Sequence, residues 1–145
     1  MLLTDVNVLV YAHREDAADH ERYKAWLEEV VNGAEAFAMA DIVCSGFLRI
    51  VTHPSVFVPP SPLDDALAFV EAIRAQPNCV VVAPGQRHWE IFRELCRSSG
   101  VRGNLVPDAY LAALAIESGS EWITTDGDYG RFAGLRWRRP FGSAA

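Results

Sequence analysis

The chain has 145 residues, 50% of them hydrophobic and 22% charged, and this length is typical of one compact domain with a single core. Its balance is acidic, because 13 Lys and Arg residues stand against 19 Asp and Glu residues for a net charge of −6. Proteins that coat nucleic acid by general phosphate neutralisation are usually basic, so the composition excludes that class. We expect one domain over residues 1–141 and a disordered tail at 142–145.

No apolar run reaches the roughly 18–20 residues that span a bilayer, and the first five residues lack the basic segment of a signal peptide. We therefore expect a cytoplasmic protein without membrane contact. The three cysteines, Cys44, Cys79 and Cys96, are widely spaced within apolar stretches. This pattern fits neither a zinc site nor a disulfide framework, and it predicts three buried thiols.

The opening segment, residues 2–11, consists mostly of β-branched or large apolar residues, as expected for a strand covered on both faces. Asp5 and Asn7 interrupt it. Their i, i+2 spacing puts both side chains on one face if the strand continues, and at the same rim of the sheet if the strand ends near Asp5.

Helix and strand patterns alternate along the rest of the chain. Helices are predicted at 19–32, 41–51, 61–76, 86–99 and 107–118, and strands at 35–39, 79–83, 122–125 and 135–138. Asp41 and Ser61 are the predicted N-caps of two of these helices, and glycine or proline ends most of them. Strands that alternate with one or two helices predict a three-layer α/β/α domain with a mainly parallel sheet.

Functional groups in such sheets gather beyond the carboxyl ends of the strands. Asp5 and Asp126 each follow a predicted strand, and Asp108 opens an apolar helix whose N-terminus points at the same edge. Three carboxylates at one rim repel each other unless a cation neutralises them, and all-oxygen ligation suits Mg²⁺ or Mn²⁺. The sequence therefore predicts a divalent-metal site for phosphodiester or phosphoryl chemistry.

Each of these residues also fits a purely structural role. Asp108 suits the first turn of a helix, and Asp126 lies in an Asp-Gly turn. Asp5 is harder to explain in this way, since an aspartate within the most apolar strand is costly to bury without a partner. For Asp41 the helix cap is favoured over a ligand role. The four histidines lack the spacing of a metalloprotease motif.

Four stretches of the chain resemble PIN-domain ribonucleases, and more closely the VapC toxins of mycobacterial-type VapBC toxin–antitoxin modules. They are Thr4–Ala12, Gly46–Pro54, Gly103–Ala115 and Thr124–Tyr129, in this order across nearly the whole chain. The resemblance implies a PIN-like fold with Mg²⁺ ligands at Asp5, Asp108 and Asp126, the same three residues that the strand pattern indicates. It also implies an endoribonuclease that cleaves a structured RNA such as tRNA or rRNA and arrests translation.

Two partners follow from the same resemblance: a VapB-type antitoxin that wraps the toxin, and a second copy of the chain in a homodimer. The family usually carries a further glutamate early in the helix predicted at 41–51, and the matching position here is Gly46. Asp128 or Asp41 is a candidate substitute. Otherwise three carboxylates hold the ion together with water and substrate phosphate, which Mg²⁺ tolerates.

The leading hypothesis is a Mg²⁺-dependent endoribonuclease, with Mn²⁺ as the alternative ion and Asp5, Asp108 and Asp126 as catalytic ligands. Asn7 and Thr125 are predicted to support the ligands. RNA phosphates are predicted to contact arginines, namely Arg49, Arg131, Arg136, Arg138 and Arg139. One rival is a catalytically weak PIN-like module that binds RNA or antitoxin, motivated by Gly46. Another is a phosphatase, which the segment Asp5–Asn7 disfavours because it lacks an Asp-x-Asp pair.

Overall fold

A single sheet of five parallel strands organises the computed structural model, which describes residues 1–142. The strands are β1 (Leu2–Thr4), β2 (Phe37–Ala40), β3 (Cys79–Val82), β4 (Glu121–Ile123) and β5 (Trp137–Arg138). The helices are α1 (Val6–His13), α2 (His20–Asn32), α3 (Asp41–Val51), α4 (Leu63–Arg74), α5 (His88–Ser99) and α6 (Val106–Ser118). Short 3₁₀ turns cover Gly103–Leu105 and Gly127–Arg131. The predicted three-layer α/β/α architecture is confirmed.

The strand order is β3-β2-β1-β4-β5. The chain adds β2 and β3 on one side of β1, and then β4 and β5 on the other side. The sheet reverses between β1 and β4, which pair in register from Leu2 with Glu121 to Thr4 with Ile123. In open parallel sheets such a reversal leaves a crevice beyond the carboxyl ends of the two strands. The fold therefore gives the residues that follow β1 and β4 a shared location.

The predicted strand over residues 2–11 is wrong beyond Thr4, because α1 begins at Val6. Asp5 is the N-cap of this helix, and its Oδ1 accepts a hydrogen bond of 2.7 Å from the backbone N–H of Val6. Half of its eight residues are buried, namely Val8, Leu9, Val10 and Ala12, and the others are partly buried. A helix that is apolar nearly all round has the composition of a buried strand, and periodicity does not separate the two. Of the two placements for Asp5 and Asn7, the strand that ends near Asp5 is right.

Two predicted helix caps are also wrong. Asp41 lies inside the first turn of α3, and its Oδ1 accepts a hydrogen bond of 2.7 Å from Nη1 of Arg74. The N-cap of α4 is Pro62, one residue after the predicted Ser61. Both side chains satisfy their polar atoms through tertiary contacts, which outweigh the local capping preference.

The third strand and the cysteines are more exposed than predicted. β3 lies at the edge of the sheet, and Val80 and Val81 are exposed. The free thiol of Cys44 is buried as expected, whereas Cys79 and Cys96 are half-buried. An apolar run reports burial in general, but the position of a strand within the sheet decides how much of it is covered.

No helix within residues 1–142 is long and apolar enough to cross a membrane. At the end of the described chain, the carbonyl of Gly142 lies 3.4 Å from the donating Nη2 of Arg22. The rest of the predicted disordered tail, residues 143–145, lies outside the described residues.

Candidate active site

Three carboxylates predicted from the sequence converge at the reversal point of the sheet. Asp5 follows β1, Asp126 follows β4 after two residues, and Asp108 lies in the first turn of α6. Both Asp108 and Asp126 are near enough to raise the pKa of Asp5 by charge repulsion. The structure thus brings together residues from three separate elements of the fold.

Asp5 is the most buried of the three, with 6% of its surface exposed. Its Oδ1 accepts from Val6, and its Oδ2 accepts a hydrogen bond of 2.6 Å from the hydroxyl of Thr124. Burial raises the pKa of Asp5 and is the largest influence on it, while these two hydrogen bonds act in the opposite direction. Within residues 1–142, the ionised form of this carboxylate has two hydrogen-bond donors and no salt bridge.

Asp108 is half-buried, and its Oδ1 accepts a hydrogen bond of 3.2 Å from the hydroxyl of Tyr129. Burial raises the pKa of Asp108 most strongly and Asp126 raises it further, while the Tyr129 bond and the charge of Arg131 lower it. The pKa of Tyr129 is itself raised, chiefly by burial and then by the neighbouring Asp5 and Asp108. The phenol is therefore a protonated hydrogen-bond donor at neutral pH.

Thr124 is a site residue that the sequence analysis missed. Its side chain is fully buried, and its hydroxyl donates to Asp5 and accepts the backbone N–H of Asp126 at 3.1 Å. The predicted supporting residue was the adjacent Thr125, which is half-buried and makes no side-chain hydrogen bond among residues 1–142. The sequence did offer one signal, the spacing of two residues between Thr124 and Asp126, because side chains two residues apart in an extended segment share one face. The supporting role of Asn7, in the first turn of α1, stays a prediction.

The turn after β4 adds one further acidic residue, Asp128, beside Asp126. Oδ1 of Asp126 accepts a hydrogen bond of 2.9 Å from the backbone N–H of Asp128, so the turn-forming role foreseen for Asp126 is present beside its place among the carboxylates. Asp128 is exposed, lies 3.8 Å from Nη2 of Arg131, and contributes to the raised pKa of Asp108. Asp41, the other candidate for a fourth ligand, is instead engaged with Arg74 on the surface.

Two of the predicted RNA-contacting arginines border this turn. Arg131 donates from Nε to the carbonyl of Asp128 at 3.0 Å and is close enough to lower the pKa of Asp108. Nη2 of Arg139 lies 3.6 Å from the point where a Cβ would stand on Gly127. Both guanidinium groups therefore lie at the rim of the acidic site.

The other three predicted arginines lie elsewhere. Arg136 donates to the carbonyl of Gly119, at the far end of α6 from Asp108, about 16 Å along a helix that rises 1.5 Å per residue. Arg138 is bound to Glu121 at 3.0 Å, where β4 begins. Arg49 is exposed in the last turn of α3.

Gly46 explains why a fourth carboxylate is missing from α3. A Cβ built on Gly46 would lie 2.9 Å from Cγ2 of Val6, the residue that follows Asp5. Real Cβ atoms essentially never approach so closely, and the short side chain of Val6 cannot bend aside. The contact between α3 and α1 thus leaves no space for a side chain at this point.

The donor set fits a hard divalent cation. Asp5, Asp108 and Asp126 offer carboxylate oxygens, which Mg²⁺ and Mn²⁺ prefer, and Mg²⁺ commonly keeps several waters when few carboxylates bind it. Within residues 1–142, no three His, Cys, Asp or Glu side chains are already grouped closely enough to hold an ion. The fit rests on the chemistry of the donors, and their role as ligands stays a prediction.

Comparison with known proteins identifies the family. The PIN domain model matches residues 2–135. The chain belongs to the PIN-domain family. Among its relatives, the VapC ribonuclease Mb2897 of Mycobacterium bovis is 44% identical over 140 residues, which cover 97% of this chain and 95% of the relative. Ribonuclease VapC25 of Mycobacterium tuberculosis is 41% identical over 97% of this chain and 99% of its own length. The resemblance to mycobacterial VapC ribonucleases is thereby confirmed.

Solved PIN-domain structures share the fold at low sequence identity. VapBC2 from Rickettsia felis, bound to a DNA fragment from its promoter, superposes with a TM-score of 0.69 at 16% identity, covering 95% of this chain and 97% of that one. VapC20 of Mycobacterium tuberculosis, described as a sarcin-ricin loop cleaving toxin, gives a TM-score of 0.63 at 16% identity, covering 94% and 99%. These likenesses confirm the PIN architecture over nearly the whole chain.

Proposed function

We propose that this chain is the toxin of a type II toxin–antitoxin module and acts as an endoribonuclease on structured RNA, a tRNA or rRNA, so that translation stops. The observation that carries the proposal is the convergence of Asp5, Asp108 and Asp126 beyond β1 and β4. The names of its VapC ribonuclease relatives support the reaction class. The neighbour described as a sarcin-ricin loop cleaving toxin supports a structured substrate.

In this proposal Asp5, Asp108 and Asp126 hold Mg²⁺, with Mn²⁺ as the alternative. A bound ion of this kind lowers the pKa of a coordinated water and stabilises charge on the attacked phosphate. The chain contributes the carboxylates and their orientation, since Thr124 ties Asp5 to the turn that begins at Asp126. The raised pKa values of Asp5 and Asp108 are the expected property of carboxylates arranged for a cation.

Arg131 and Arg139 are the proposed contacts to RNA phosphates, because both border the turn beside the carboxylates. Such contacts offset the chain's net charge of −6 locally, where the polyanionic substrate approaches. The side chains of Arg136 and Arg138 are bound to Gly119 and Glu121, and the role of these two residues and of Arg49 in RNA binding stays a prediction.

The proposed partners are a VapB-type antitoxin and a second copy of the chain. Support for the antitoxin comes from the structural neighbours, several of which are VapBC complexes. The acidic rim is a suitable surface for an arginine of such a partner, which would compete with the metal for the same carboxylates. A tRNA or rRNA substrate places the proposed activity in the cytoplasm.

The direct test is to express wild-type, Asp5→Asn and Asp108→Asn chains and to map new RNA 5′ ends. We expect discrete new ends with the wild type, and at least a 100-fold loss of cleavage with each variant, since a ligand of the reacting ion is removed. The matched control is Asp41→Asn, which changes an exposed carboxylate paired with Arg74 and should cleave normally. Full activity of both site variants, with unchanged circular dichroism, would contradict the proposal.

A second candidate function is a catalytically weak PIN module that binds RNA or antitoxin without cleaving. The close contact between Gly46 and Val6 favours it, because the site has no fourth carboxylate on α3. Calorimetric titration with Mg²⁺ and Mn²⁺ separates the two functions. Binding at millimolar or lower concentration supports the ribonuclease, whereas no binding supports the inert module.

A further inference from the structure

Tyr129 is a buried polar residue that contacts the site without belonging to the predicted ligand set. It lies in the 3₁₀ turn after β4, and only 2% of its surface is exposed. Its ring packs against Trp122 and Phe132, with centroid distances of 5.5 Å and 5.9 Å. A phenylalanine would fill this apolar position equally well, so packing does not account for the hydroxyl.

The hydroxyl has one partner, Oδ1 of Asp108, at 3.2 Å. The phenol is neutral at physiological pH and can donate a single hydrogen bond, so its proton is committed to this oxygen. Among the described residues, Oδ2 of Asp108 receives no hydrogen bond. The two oxygens of Asp108 are therefore chemically distinct before any ligand arrives.

The difference between the two oxygens of Asp108 matters because of where Asp108 and Tyr129 lie in the fold. Asp108 comes from α6, whereas Tyr129 follows β4, as does Asp126. The phenol thus crosslinks the helix to the same turn that holds Asp126 and, through Thr124, to Asp5. A side chain with two free torsions is held in one orientation by this bond, with its second oxygen open.

We propose that Tyr129 is a positioning residue that fixes Asp108 through Oδ1 and leaves Oδ2 as the oxygen that binds the divalent ion. This inference rests on the proposed function, because it assigns Asp108 to the metal. Partners that orient a ligand in this way typically change metal affinity or activity by about 10- to 100-fold when they are removed.

The test compares Tyr129→Phe with the wild type by electron paramagnetic resonance titration of free Mn²⁺, which requires no RNA. We expect about 10-fold weaker Mn²⁺ binding, with near-unchanged folding because the ring is kept. In cleavage of total RNA, the Mn²⁺ concentration for half-maximal rate should rise by a similar factor, and more Mn²⁺ should restore much of the rate.

The matched control is Tyr110→Phe. Tyr110 is half-buried and follows Asp108 by two residues on α6. Its ring packs on His88 and Phe92, but its hydroxyl makes no hydrogen bond within residues 1–142. This variant should bind Mn²⁺ within about twofold of the wild type. An equal loss in both variants would show a general effect of the substitution and would overturn the inference.

A double-mutant cycle tests whether Tyr129 acts through Asp108. Tyr129→Phe, Asp108→Asn and the double variant are unfolded with urea in EDTA, and contacting residues should shift the midpoint non-additively. Additive shifts, or wild-type Mn²⁺ affinity in Tyr129→Phe, would overturn the positioning role while leaving the proposed function intact. If the wild type binds no Mn²⁺ and Asp5→Asn cleaves normally, the proposed function fails, and the inference fails with it.

Discussion

Two polar clusters of the molecule are built on opposite electrostatic principles. Beyond the ends of β1 and β4, Asp5, Asp108 and Asp126 are near enough to interact electrostatically, and burial and repulsion raise the pKa of the first two. Beside the C-terminus of α1, the guanidinium of Arg14 makes two bonds to Asp16, at 2.9 Å and 2.7 Å, and donates to the hydroxyl of Ser61 at 3.1 Å. Within residues 1–142, Asp5, Asp108 and Asp126 form no salt bridge, whereas Arg14 and Asp16 pair directly with each other.

The second cluster fixes the connector between α3 and α4. Arg14 also donates to the carbonyl of Pro59 and lies 4.3 Å above the ring of Phe57, and His13 lies 3.2 Å from the hydroxyl of Ser61. A cavity of about 400 Å³ adjoins these residues. Beside this cavity the charges of Arg14 and Asp16 are already paired with each other. Unsatisfied like charges at a strand end are the better indicator of a functional site, because only a ligand relieves them.

The largest stability effect should come from the paired cluster. Arg14→Ala removes the bonds of Arg14 to Asp16, Ser61 and the carbonyl of Pro59. We expect a loss of roughly 2–3 kcal/mol in the free energy of unfolding. Most of this loss should come from the contacts to Ser61 and Pro59, since the half-exposed Asp16 is screened by water. Urea unfolding measures it. Arg49→Ala, at an exposed position of α3, is the control and should change stability by less than about 0.5 kcal/mol. Equal losses of stability in Arg14→Ala and Arg49→Ala would show that the paired cluster makes no special contribution to stability.

Near the acidic cluster, a change in side-chain volume should alter stability more than the removal of a charge. Gly46→Ala places a methyl group 2.9 Å from Cγ2 of Val6, and we expect a loss of about 1–2 kcal/mol through overpacking. The double variant Val6→Ala, Gly46→Ala should recover part of the loss, because the volume added on α3 is removed from α1. Urea unfolding of the single and double variants provides the measurement. A loss that is simply additive would contradict the contact.

Removing a charge from the acidic cluster should stabilise the fold, whereas removing Arg14 from the paired cluster should destabilise it. Because the folded-state pKa of Asp108 is raised, its ionisation costs stability, and this cost appears as pH rises through that pKa. In EDTA at pH 7.5, Asp108→Asn should therefore raise the melting temperature by about 1–2 °C. The advantage should vanish below the ordinary aspartate pKa of about 3.9. With Mn²⁺ added the order should reverse, since only the wild type gains binding energy.

The smallest effect concerns His13, which touches both Ser61 and the rings of Phe47 and Phe69. Burial lowers its pKa, as do Arg14 and His20, while Asp65 acts against them. Its neutral form is thus favoured in the folded state, and this contribution is lost as pH falls from about 6.5 through the lowered value.

Between pH 7 and 5 the free energy of unfolding should decline more steeply in the wild type than in His13→Gln, by less than about 1 kcal/mol overall. His53→Gln, at an exposed position, should keep the wild-type slope. A slope unaffected by His13→Gln would show that the burial of His13 has no energetic consequence.

The candidate carboxylates were predictable because a few local rules sufficed. An aspartate directly after a buried strand, another after a later strand, and a third at the start of an apolar helix lie at the same edge of a parallel sheet. They come together here because β1 pairs directly with β4. Thr124 and Tyr129 were not predictable in the same way. The two-residue spacing of Thr124 and Asp126 predicts a shared face for Thr124, but not its partner. The hydroxyls of Thr124 and Tyr129 bind Asp5 and Asp108, which are more than a hundred and about twenty residues away in sequence, and no local pattern predicts such long-range pairs.

The misassigned strand after Thr4 has a similar cause. α1 is apolar on nearly all sides because α2 and α3 both cover it. Its composition therefore indicates burial but shows no helical periodicity. Likewise, Asp41 and Ser61 suited helix caps locally, but Arg74 and Arg14 provided stronger partners from elsewhere in the chain.

The contact between Gly46 and Val6 also constrains how this site can change over evolutionary time. A single substitution that introduces a carboxylate on α3 meets a steric penalty at Val6 before its oxygens gain a ligand. The reverse route, a smaller residue at position 6 first, opens a gap beside Asp5 with nothing to fill it. Acquisition of a fourth carboxylate on α3 is therefore coupled to the size of residue 6, and the two positions are expected to change together.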